Sequence, residues 1–374
     1  MTRRRPAPPR TRQRGIALLV VMWVFMVLGV IALDFSRYMR DDAMAGLNFA
    51  DEVRGYYLAI GGMNRELLRA LEARQAEHGR GPRAGGSTAT AADRDTDQPE
   101  LGLEHAASVA DGQPIHGQLA GGQYVVTLTD EASKIPINTF PEDALRQALW
   151  NLFVGGNRTT AVNRRQEADI DTIADSILDW RDCGNEVRPH GAESAYYNGL
   201  PHPYDSKNAF FDAPEEILLV RGVTPELFYG EEGQPGLRDV FSVYTKDKVN
   251  LRTISPAVMQ MVLGIDADTA ADLASRRGEL DASAASQLVE VQARNAAPQI
   301  ADCCLEDQEP QTIMVVAKGN ANPDAGIVRD WGTMAAVVEL SGDEVDGIRL
   351  LRWFDRAPWT GALPGLSPEA GSAG

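Results

Sequence analysis

The clearest pattern of apolar positions in this chain is an uninterrupted run near its start. From Ile16 to Leu33 there are eighteen uncharged, mostly apolar residues. As a helix this run would extend roughly 27 Å, which is close to the thickness of the hydrocarbon core of a bilayer. The run begins directly after Gly15 and lacks the small-residue cleavage site that follows the apolar core of a secretory signal. We therefore predict a membrane-spanning helix over residues 16–33 that the mature protein keeps.

The pattern then changes to that of an amphipathic helix. Residues 34–78 contain no proline, and their apolar side chains recur mostly at steps of three and four residues. These side chains are Phe35, Tyr38, Met39, Leu47, Val53, Tyr57, Ile60, Met63, Leu67 and Leu71. We predict one helix from about Ile16 to about His78, which the Gly61-Gly62 pair weakens locally. Residues 79–100 are polar and rich in glycine and alanine, which predicts a mobile loop.

Farther along the chain, strand patterns flank a long helical block. Strand composition occurs at Gln123–Thr129, Thr312–Ala317, Met334–Leu340 and Ile348–Phe354. The candidate helices between them are Pro141–Phe153, Glu167–Arg181, Pro214–Arg221, Pro256–Gly264, Ala267–Arg277 and Ala284–Ala296. A helical block between strands favours an α-domain inserted into an α+β head.

These patterns divide the chain into five predicted parts. They are a leader at 1–15, a transmembrane helix at 16–33, an α+β head formed by 34–136 and 311–355, an inserted α-domain at 137–310 and a disordered tail at 356–374. Two short segments, 134–139 and 248–253, resemble each other in sequence. Each ends in a possible capping residue and is followed by a proline, so we predict paired extended pieces that each begin a helix.

The charge changes sign across the predicted anchor. The formal net charge is −17, although the leader carries six arginines and no acid. A basic segment before a membrane helix and an acidic one after it place the N-terminus in the cytoplasm and the bulk of the chain outside. The acidic exterior disfavours nucleic-acid binding, which depends largely on cations that contact phosphate.

The chain has three cysteines, Cys183, Cys303 and Cys304. They are too few for a fold framed by disulfides. In an oxidising compartment one bond could form, and we expect Cys183 to pair with one of the other two. The sequence leaves open which of the two it is.

The stretch richest in candidate chemistry is the loop after the helix that ends near Arg181. The oxygen-bearing residues in this loop are Asp182, Asn185, Glu186, Glu193 and Asp205. A loop of roughly twenty residues inside a compact domain needs an organiser, and carboxylate and amide oxygens are the ligands that Ca²⁺ prefers. One alternative is a solvated acidic loop held by hydrogen bonds. Another is a zinc site of Cys183, His190 and His202, whose spacing matches none of the usual zinc patterns.

Two segments have the apolar-x-Gly-apolar pattern of helix-hairpin-helix units, near Gly222 and Gly264. In DNA-binding versions the glycine lets backbone amides approach a phosphate, so the alternative function is a membrane-anchored DNA-binding protein of the competence type. Acids surround both hairpins here, which favours helical packing units. The chain contains neither Gly-x-Ser-x-Gly nor His-Glu-x-x-His. We predict that it is not an enzyme, because a calcium-dependent hydrolase would need a recognisable nucleophile and base.

The start of the chain resembles a type IV prepilin leader, with basic residues, then Gly15, then an apolar helix from Ile16. This resemblance implies that a prepilin peptidase cuts after Gly15 and methylates the new terminus. Most pilins and pseudopilins carry Glu at the fifth mature position, where it pairs with the terminal amine of the subunit above. Here that position is Val20, which suggests a subunit at the tip of a fibre. The alternative is an ordinary signal anchor.

The loop after Arg181 resembles the minor pseudopilin K family of type II secretion systems. The matching motifs are Asp-Trp-Arg-Asp at 179–182, Gly-Ala-Glu at 191–193 and Pro-Tyr-Asp-Ser-Lys-Asn at 203–208. Members of that family bind calcium in this domain. The resemblance implies that the Ca²⁺ ligands lie among Asp179, Asp182, Asn185 and Glu193. The chain departs from the family where Cys183, Gly184 and Asn185 replace the usual second aspartate.

The resemblance covers nearly the whole chain and implies a fold and a function. The fold is α+β, with a long pilin-like N-terminal helix packed on an antiparallel sheet and a large inserted all-α domain. The function is that of a minor pseudopilin at the tip of the pseudopilus, which initiates or caps fibre assembly for protein export across the outer membrane. The implied partners are the minor pseudopilins I and J, other pseudopilins, the prepilin peptidase and the membrane. The implied location is the bacterial inner membrane, with a single pass and a periplasmic head.

Overall fold

The computed structural model describes residues 16–77, 110–154, 164–230, 235–245, 248–280, 282–322, 333–340 and 347–355. The helices are α1 (Ile16–Glu77), α2 (Glu142–Val154), α3 (Arg164–Arg181), α4 (Ser194–Tyr197), α5 (Pro225–Tyr229), α6 (Leu237–Val240), α7 (Pro256–Leu263), α8 (Ala267–Gly278), α9 (Ala282–Ala296) and α10 (Pro298–Cys304). The strands are β1 (Asp111–Leu119), β2 (Gly122–Asp130), β3 (Ile135–Pro136), β4 (Phe241–Ser242), β5 (Val249–Asn250), β6 (Leu305–Glu306), β7 (Thr312–Asn320), β8 (Met334–Leu340) and β9 (Ile348–Phe354). The predicted leader with Gly15, the loop at 79–100 and the tail at 356–374 lie outside the described residues.

The mixed α+β class predicted from the sequence is confirmed. Five antiparallel strands form a sheet in the order β1-β2-β7-β8-β9. The second half of α1 packs on this sheet. The remaining helices lie between β2 and β7 in the sequence. They enclose a separate hydrophobic core of their own.

Helix α1 is continuous over 62 residues, and its first half touches no other part of the described protein. The apolar side chains from Leu18 to Leu33 are exposed, with Phe25 at 70%. Among the described residues, α1 is the one helix long and apolar enough to cross a membrane. Burial of apolar surface drives folding and association, so this half of α1 needs lipid or other helices around it.

The second half of α1 contacts the sheet through a narrow set of small and apolar residues. Ala59, Met63 and Leu67 are buried against strand residues such as Val126 and Val315. Six of the ten predicted amphipathic positions were wrong, because their side chains are exposed: Phe35, Tyr38, Met39, Leu47, Val53 and Tyr57. The contact face begins farther along the helix than predicted, and it combines the small residues Gly55, Ala59 and Gly62 with Met63 and Leu67.

Glycines let α1 approach the sheet closely. A Cβ at Gly62 would lie 2.5 Å from the ring of Tyr124, and one at Gly319 would lie 2.8 Å from the backbone nitrogen of Ala59 and closer still to the carbonyl oxygen of Gly55. The expected weakening of the helix at Gly61-Gly62 is therefore not what the structure shows. The helix continues through the pair, and the absent side chain makes room for a strand.

The four predicted strands are all present, and β8 and β9 have the predicted bounds. Strand β1 was missed, because it contains Pro114 and two glycines and lies at an edge of the sheet. Five predicted helices correspond to α2, α3, α7, α8 and α9 within a few residues, and the sixth is a 3₁₀ segment at Pro214–Leu219. Helix α10 was also missed.

The two similar segments do not pair with each other as predicted. Instead, β3 pairs in parallel with β4, and β5 pairs in parallel with β6. Each segment does precede a helix: Pro141 stands before α2, and Ser255 caps α7 by accepting a hydrogen bond from the amide of Val258 at 3.3 Å.

Buried carboxylates join the α-domain to the sheet at the end of β2. Asp130 accepts hydrogen bonds from Asn250 Nδ2 at 2.8 Å and from Thr253 Oγ1 at 2.6 Å. Glu131 accepts one from Ser242 Oγ at 2.5 Å and is paired with Lys134 at 3.0 Å. Burial raises the pKa of Asp130, and the Thr253 and Asn250 hydrogen bonds oppose that rise.

The α-domain lies at the end of the head that is remote from the anchor. Arg74, near the end of α1, donates from Nη1 to the carbonyl oxygens of Pro310 and Leu340 at 3.0 and 3.1 Å. Pro310 precedes β7, whose first residues pair with the end of β2, and the α-domain leaves the sheet at this same end. The opposite end of β7 meets α1 at Gly55, nearer the apolar half.

We expect the variant Gly319→Ala to be destabilised by about 1–3 kcal/mol, because the new methyl group would overpack the contact between β7 and α1. Chemical denaturation of the detergent-solubilised chain measures this difference. The matched control is Gly46→Ala, since nothing lies within 4 Å of a Cβ there. It should be neutral or stabilising by up to about 1 kcal/mol. Equal stabilities for the two variants would contradict the close approach.

Candidate cation site

The acidic loop is anchored on an aromatic cluster at the end of α3. Trp180 is buried, and its ring lies 5.4 Å from that of Tyr197 and 6.2 Å from that of Phe211, measured between centroids. The amide of Ala209 donates to the carbonyl oxygen of Trp180 at 3.4 Å. Aromatic contacts of this kind add to the stability given by area burial alone, so the loop has a fixed base from which its polar groups project.

Two of the predicted ligands, Asp179 and Asp182, share an arginine. They lie three residues apart at the end of α3 and therefore face the same side. Arg188 Nη1 is 2.7 Å from Asp179 Oδ1 and 2.6 Å from Asp182 Oδ2, and the amide of Arg188 donates to Asp179 Oδ2 at 3.2 Å. The side chain of Asp179 is completely buried. The guanidinium thus occupies the position between the two carboxylates.

The charges in this arrangement shift two pKa values. Burial raises the pKa of Asp179, and the hydrogen bonds from Arg188 oppose that rise. Burial disfavours the charged form of Arg188, but hydrogen bonds to Asp182 and Asp179 outweigh it and raise the pKa of Arg188. The Nη1 atom of Arg188 already contacts Asp179 Oδ1 and Asp182 Oδ2. A cation that binds these two oxygens therefore has to displace the guanidinium.

The other two predicted ligands, Glu193 and Asn185, belong to a neighbouring cluster of oxygens. Ser206 Oγ lies 2.7 Å from Glu193 Oε2 and 2.8 Å from Asn208 Oδ1. Asn208 Nδ2 donates to Asn185 Oδ1 at 2.9 Å. The second carboxylate oxygen, Glu193 Oε1, is buried and has no hydrogen-bond partner within the described part of the chain.

This orphaned oxygen is the feature that fits a cation. Burial raises the pKa of Glu193, the hydrogen bond from Ser206 opposes the rise, and the charges of Asp179 and Asp182 add to it. A hard divalent ion would supply the missing partner, and the nearby donors are oxygens, as Ca²⁺ requires. Within the described ranges, however, no three His, Cys, Asp or Glu side chains form a metal-like cluster. The residues of the alternative zinc site, Cys183, His190 and His202, form no such cluster within these ranges either.

A third set of polar contacts ties the loop to α2 and was not predicted. Asp175 on α3 has a side chain that is 1% exposed, and it forms an ion pair with Arg146 of α2. Its other oxygen accepts the amide of His190 at 2.9 Å. Among the loop residues noted in the sequence, Asp205 accepts from Asn198 at 2.8 Å, while Glu186 is exposed.

The residues that sequence reasoning missed here are Arg188, Ser206 and Asn208. The available signal was an arginine close to several acids, six residues after Asp182. An arginine near buried acids is the expected compensating charge, so the position could have been noticed. Ser206 and Asn208 belong to the Pro-Tyr-Asp-Ser-Lys-Asn motif, where their roles depend on tertiary contacts.

The two hairpin-like units are structural. Gly264 ends α7 with φ +65°, and Asp266 caps α8 by accepting the amide of Thr269 at 2.8 Å. In the first unit, Gly222 has φ +89° and lies against Ile173 of α3. Phosphate binding needs free amides and cations, whereas the amide at the start of α8 is already bonded to an acid.

The expected cysteine pairing was wrong. Cys303 bonds to its neighbour Cys304, while Cys183 is a free, exposed thiol. The pairing with Cys183 assumed that a disulfide joins distant parts of the chain, and this bond joins adjacent residues at the end of α10.

Comparison with known proteins gives a consistent result. Residues 159–229, which include this loop, match the family model described as Type II secretion system (T2SS), protein K. Type II secretion system protein K of Aeromonas hydrophila is 25% identical over 70% of this chain and 73% of its own length. The protein of the same name from Pectobacterium carotovorum subsp. carotovorum is 24% identical over 59% of this chain and 61% of its own length.

A solved structure has the same fold. It is the GspK-GspI-GspJ complex from the type 2 secretion system of enterotoxigenic Escherichia coli. The alignment has a TM-score of 0.53 and 14% sequence identity, and it covers 80% of this chain and 96% of the aligned one. At this identity the likeness shows the fold, including a long N-terminal helix, an antiparallel sheet and several helices.

We expect Arg188→Gln to destabilise the protein by about 3–5 kcal/mol at neutral pH, because it leaves the buried Asp179 without a compensating charge. The folded-state pKa of Asp179 is already raised, and loss of the guanidinium raises it further. A carboxyl group of this kind stabilises the fold below its unfolded pKa, and that stability is lost as pH rises through the folded pKa. The deficit should therefore be smallest near about pH 4 and largest near about pH 8.

Denaturation curves at several pH values measure this deficit. Adding Asp179→Asn to Arg188→Gln should recover much of the loss, since the buried charge is gone. The control Arg276→Gln removes a pair with Asp272 in which both side chains are more than half exposed, and should change stability by less than about 0.5 kcal/mol. A pH-independent loss in Arg188→Gln would contradict the proposed compensation.

Proposed function

We propose that this chain, which belongs to the type II secretion system protein K family, is the minor pseudopilin that occupies the tip of the pseudopilus. There it initiates or caps the assembly of the fibre that serves protein export across the outer membrane. The observation that carries the proposal is the position of the α-domain, which lies at the end of the head opposite the anchor helix. A subunit stacked above would have to occupy that same space.

The anchor helix supports the same role. Its side chains from Leu18 to Leu33 are uncharged, mostly apolar and exposed, which suits transfer from lipid into a bundle of similar helices. Val20 lies in this stretch and offers no acid to a subunit above. A carboxylate in lipid is costly unless it is paired, so a subunit with nothing above it gains by lacking one.

Partners and location follow as parts of the proposal. The related Escherichia coli structure is a complex of protein K with proteins I and J, and we assign minor pseudopilins I and J as partners of this chain. The prepilin peptidase cuts after Gly15, so that the mature chain begins at Ile16. The protein crosses the inner membrane once, with its N-terminus in the cytoplasm and its head in the periplasm. Its work is mechanical rather than enzymatic.

We further propose that the loop after α3 binds Ca²⁺. Glu193 and Asn185, together with Asn208, would hold the ion, because Glu193 Oε1 is buried without a partner and its neighbours are oxygens. Asp179 and Asp182 join the ligand set when Arg188 is displaced. The bound ion would supply positive charge to the loop and brace it against α3.

The tip assignment predicts where the protein lies in a fibre. In cells that overproduce long pseudopili, an epitope tag on the α-domain should label one end of each filament in immuno-electron microscopy. The same tag on the major pseudopilin should label the shaft, which controls for access of the antibody. Labelling of this protein along the shaft would contradict the proposal.

The calcium assignment predicts a shift in thermal stability. Ca²⁺ that binds only the folded state raises the melting temperature by mass action, so the chelator EDTA should lower it and added CaCl₂ should restore it. The variant Glu193→Gln should lose most of this response. Its matched control, Glu186→Gln, changes an exposed acid in the same loop and should keep the response. Identical melting curves with and without EDTA would remove the calcium assignment.

A further inference from the structure

The disulfide between Cys303 and Cys304 joins adjacent residues at the end of α10. Its two sulfurs lie in different surroundings. Cys303 is exposed, whereas Cys304 is 2% exposed and belongs to the core of the α-domain. An attacking thiolate can therefore reach one sulfur of the bond and not the other.

A structural role explains this bond poorly. A disulfide stabilises a protein mainly by restricting the unfolded chain, and the effect grows with the length of the loop that it closes. Here the sequence separation is one residue, so the restriction is close to the minimum possible. The same chain contains Cys183, which is exposed and unpaired. The pairing of neighbours thus contributes something other than long-range cross-linking.

The exposed sulfur borders an open groove of about 820 Å³ between α2, α7 and α10. The groove is lined mostly by apolar and amide side chains, which include Ala144, Gln147, Leu263 and Ile300, and by one carboxylate, that of Asp143. Ligand-sized clefts in proteins commonly have volumes in this range. A short cysteine-bearing segment of another protein therefore has room to approach Cys303.

We propose that Cys303–Cys304 is an exchange-active disulfide whose partner is a dithiol protein that docks its reactive cysteine at this groove. The partner's thiolate attacks Cys303 Sγ, the bond between the two sulfurs breaks, and Cys304 leaves as a thiolate that takes up a proton. The partner's second thiolate then attacks the partner's first sulfur in the mixed disulfide. The bond from that sulfur to Cys303 breaks, and Cys303 leaves as a thiolate that takes up a proton. Two electrons pass from the partner, which becomes a disulfide, to the cysteine pair.

The redox state of the pair acts on the segment that returns the chain to the sheet. Cys304 is followed directly by β6, which pairs with β5, and the amide of Leu251 donates to the carbonyl oxygen of Glu306 at 2.9 Å. Asn250 of β5 also donates to the buried Asp130. Reduction removes a covalent constraint at one end of this connection, and oxidation restores it.

A trapping experiment on the full-length chain in detergent tests the proposal. The chain carries Cys183→Ser, which removes the unrelated exposed thiol, and the probe is a thioredoxin-type protein whose second active-site cysteine is replaced by serine. We expect a covalent adduct under native conditions, and peptide mass spectrometry should place it on Cys303. An adduct on Cys304, or none until denaturant is added, would overturn the proposal.

Two single variants in the Cys183→Ser background keep the test independent of folding defects. Cys304→Ala leaves Cys303 as a free exposed thiol, which iodoacetamide should modify readily. Cys303→Ala leaves only the buried Cys304, whose modification should be at least about tenfold slower, because reactivity follows exposure. Equal rates in two variants with native circular dichroism spectra would contradict the assigned asymmetry. These measurements do not depend on where the protein lies in a fibre.

Discussion

The close contact between α1 and strand β7 is the constraint on which the rest of the head depends. At Gly319 the strand comes so near Gly55 and Ala59 that no side chain fits between them. Dispersion attraction weakens quickly with distance, so this approach gives Met63 and Leu67 full contact with the sheet. The same helix is apolar and exposed from Leu18 to Leu33. The small residues Gly55, Ala59 and Gly62 let the second half of the helix approach the strands, and the apolar stretch before them suits a second environment.

Buried acids transmit that rigid frame to the α-domain. Asp130 ends β2 and Glu131 follows it, yet they bond Asn250 and Ser242, which lie 120 and 111 residues farther along the chain. A buried charge is costly unless it is paired and hydrogen-bonded, so these contacts favour one placement of the α-domain on the sheet. The placement sets the domain at the end remote from the anchor. The cap role proposed above requires this fixed direction.

The local sequence pattern was enough to predict elements that are buried along almost their whole length. Strand β8 is buried on nearly all sides, and its unbroken apolar run marks it clearly. Strand β1 was missed because an edge strand pairs on one side only and tolerates Pro114. In the candidate site the sequence indicated the acids, but the selection of Arg188 as their partner is a tertiary event. The disulfide between Cys303 and Cys304 was missed because the spacing of cysteines in the sequence does not show in which direction their side chains point.

The loop after α3 contains more negative charge than its arginine can balance. Arg188 supplies one positive charge to two carboxylates, Asp179 and Asp182, and Glu193 adds a third. Burial raises the pKa of Glu193, and the charges of Asp179 and Asp182 add to that rise. A guanidinium and a divalent ion can balance different parts of this negative charge. The guanidinium compensates the carboxylates at the end of α3, and the ion would compensate the oxygens around Glu193. Asp182 is followed in this chain by Cys183, Gly184 and Asn185. These three residues add no carboxylate to the charge that Arg188 already has to balance.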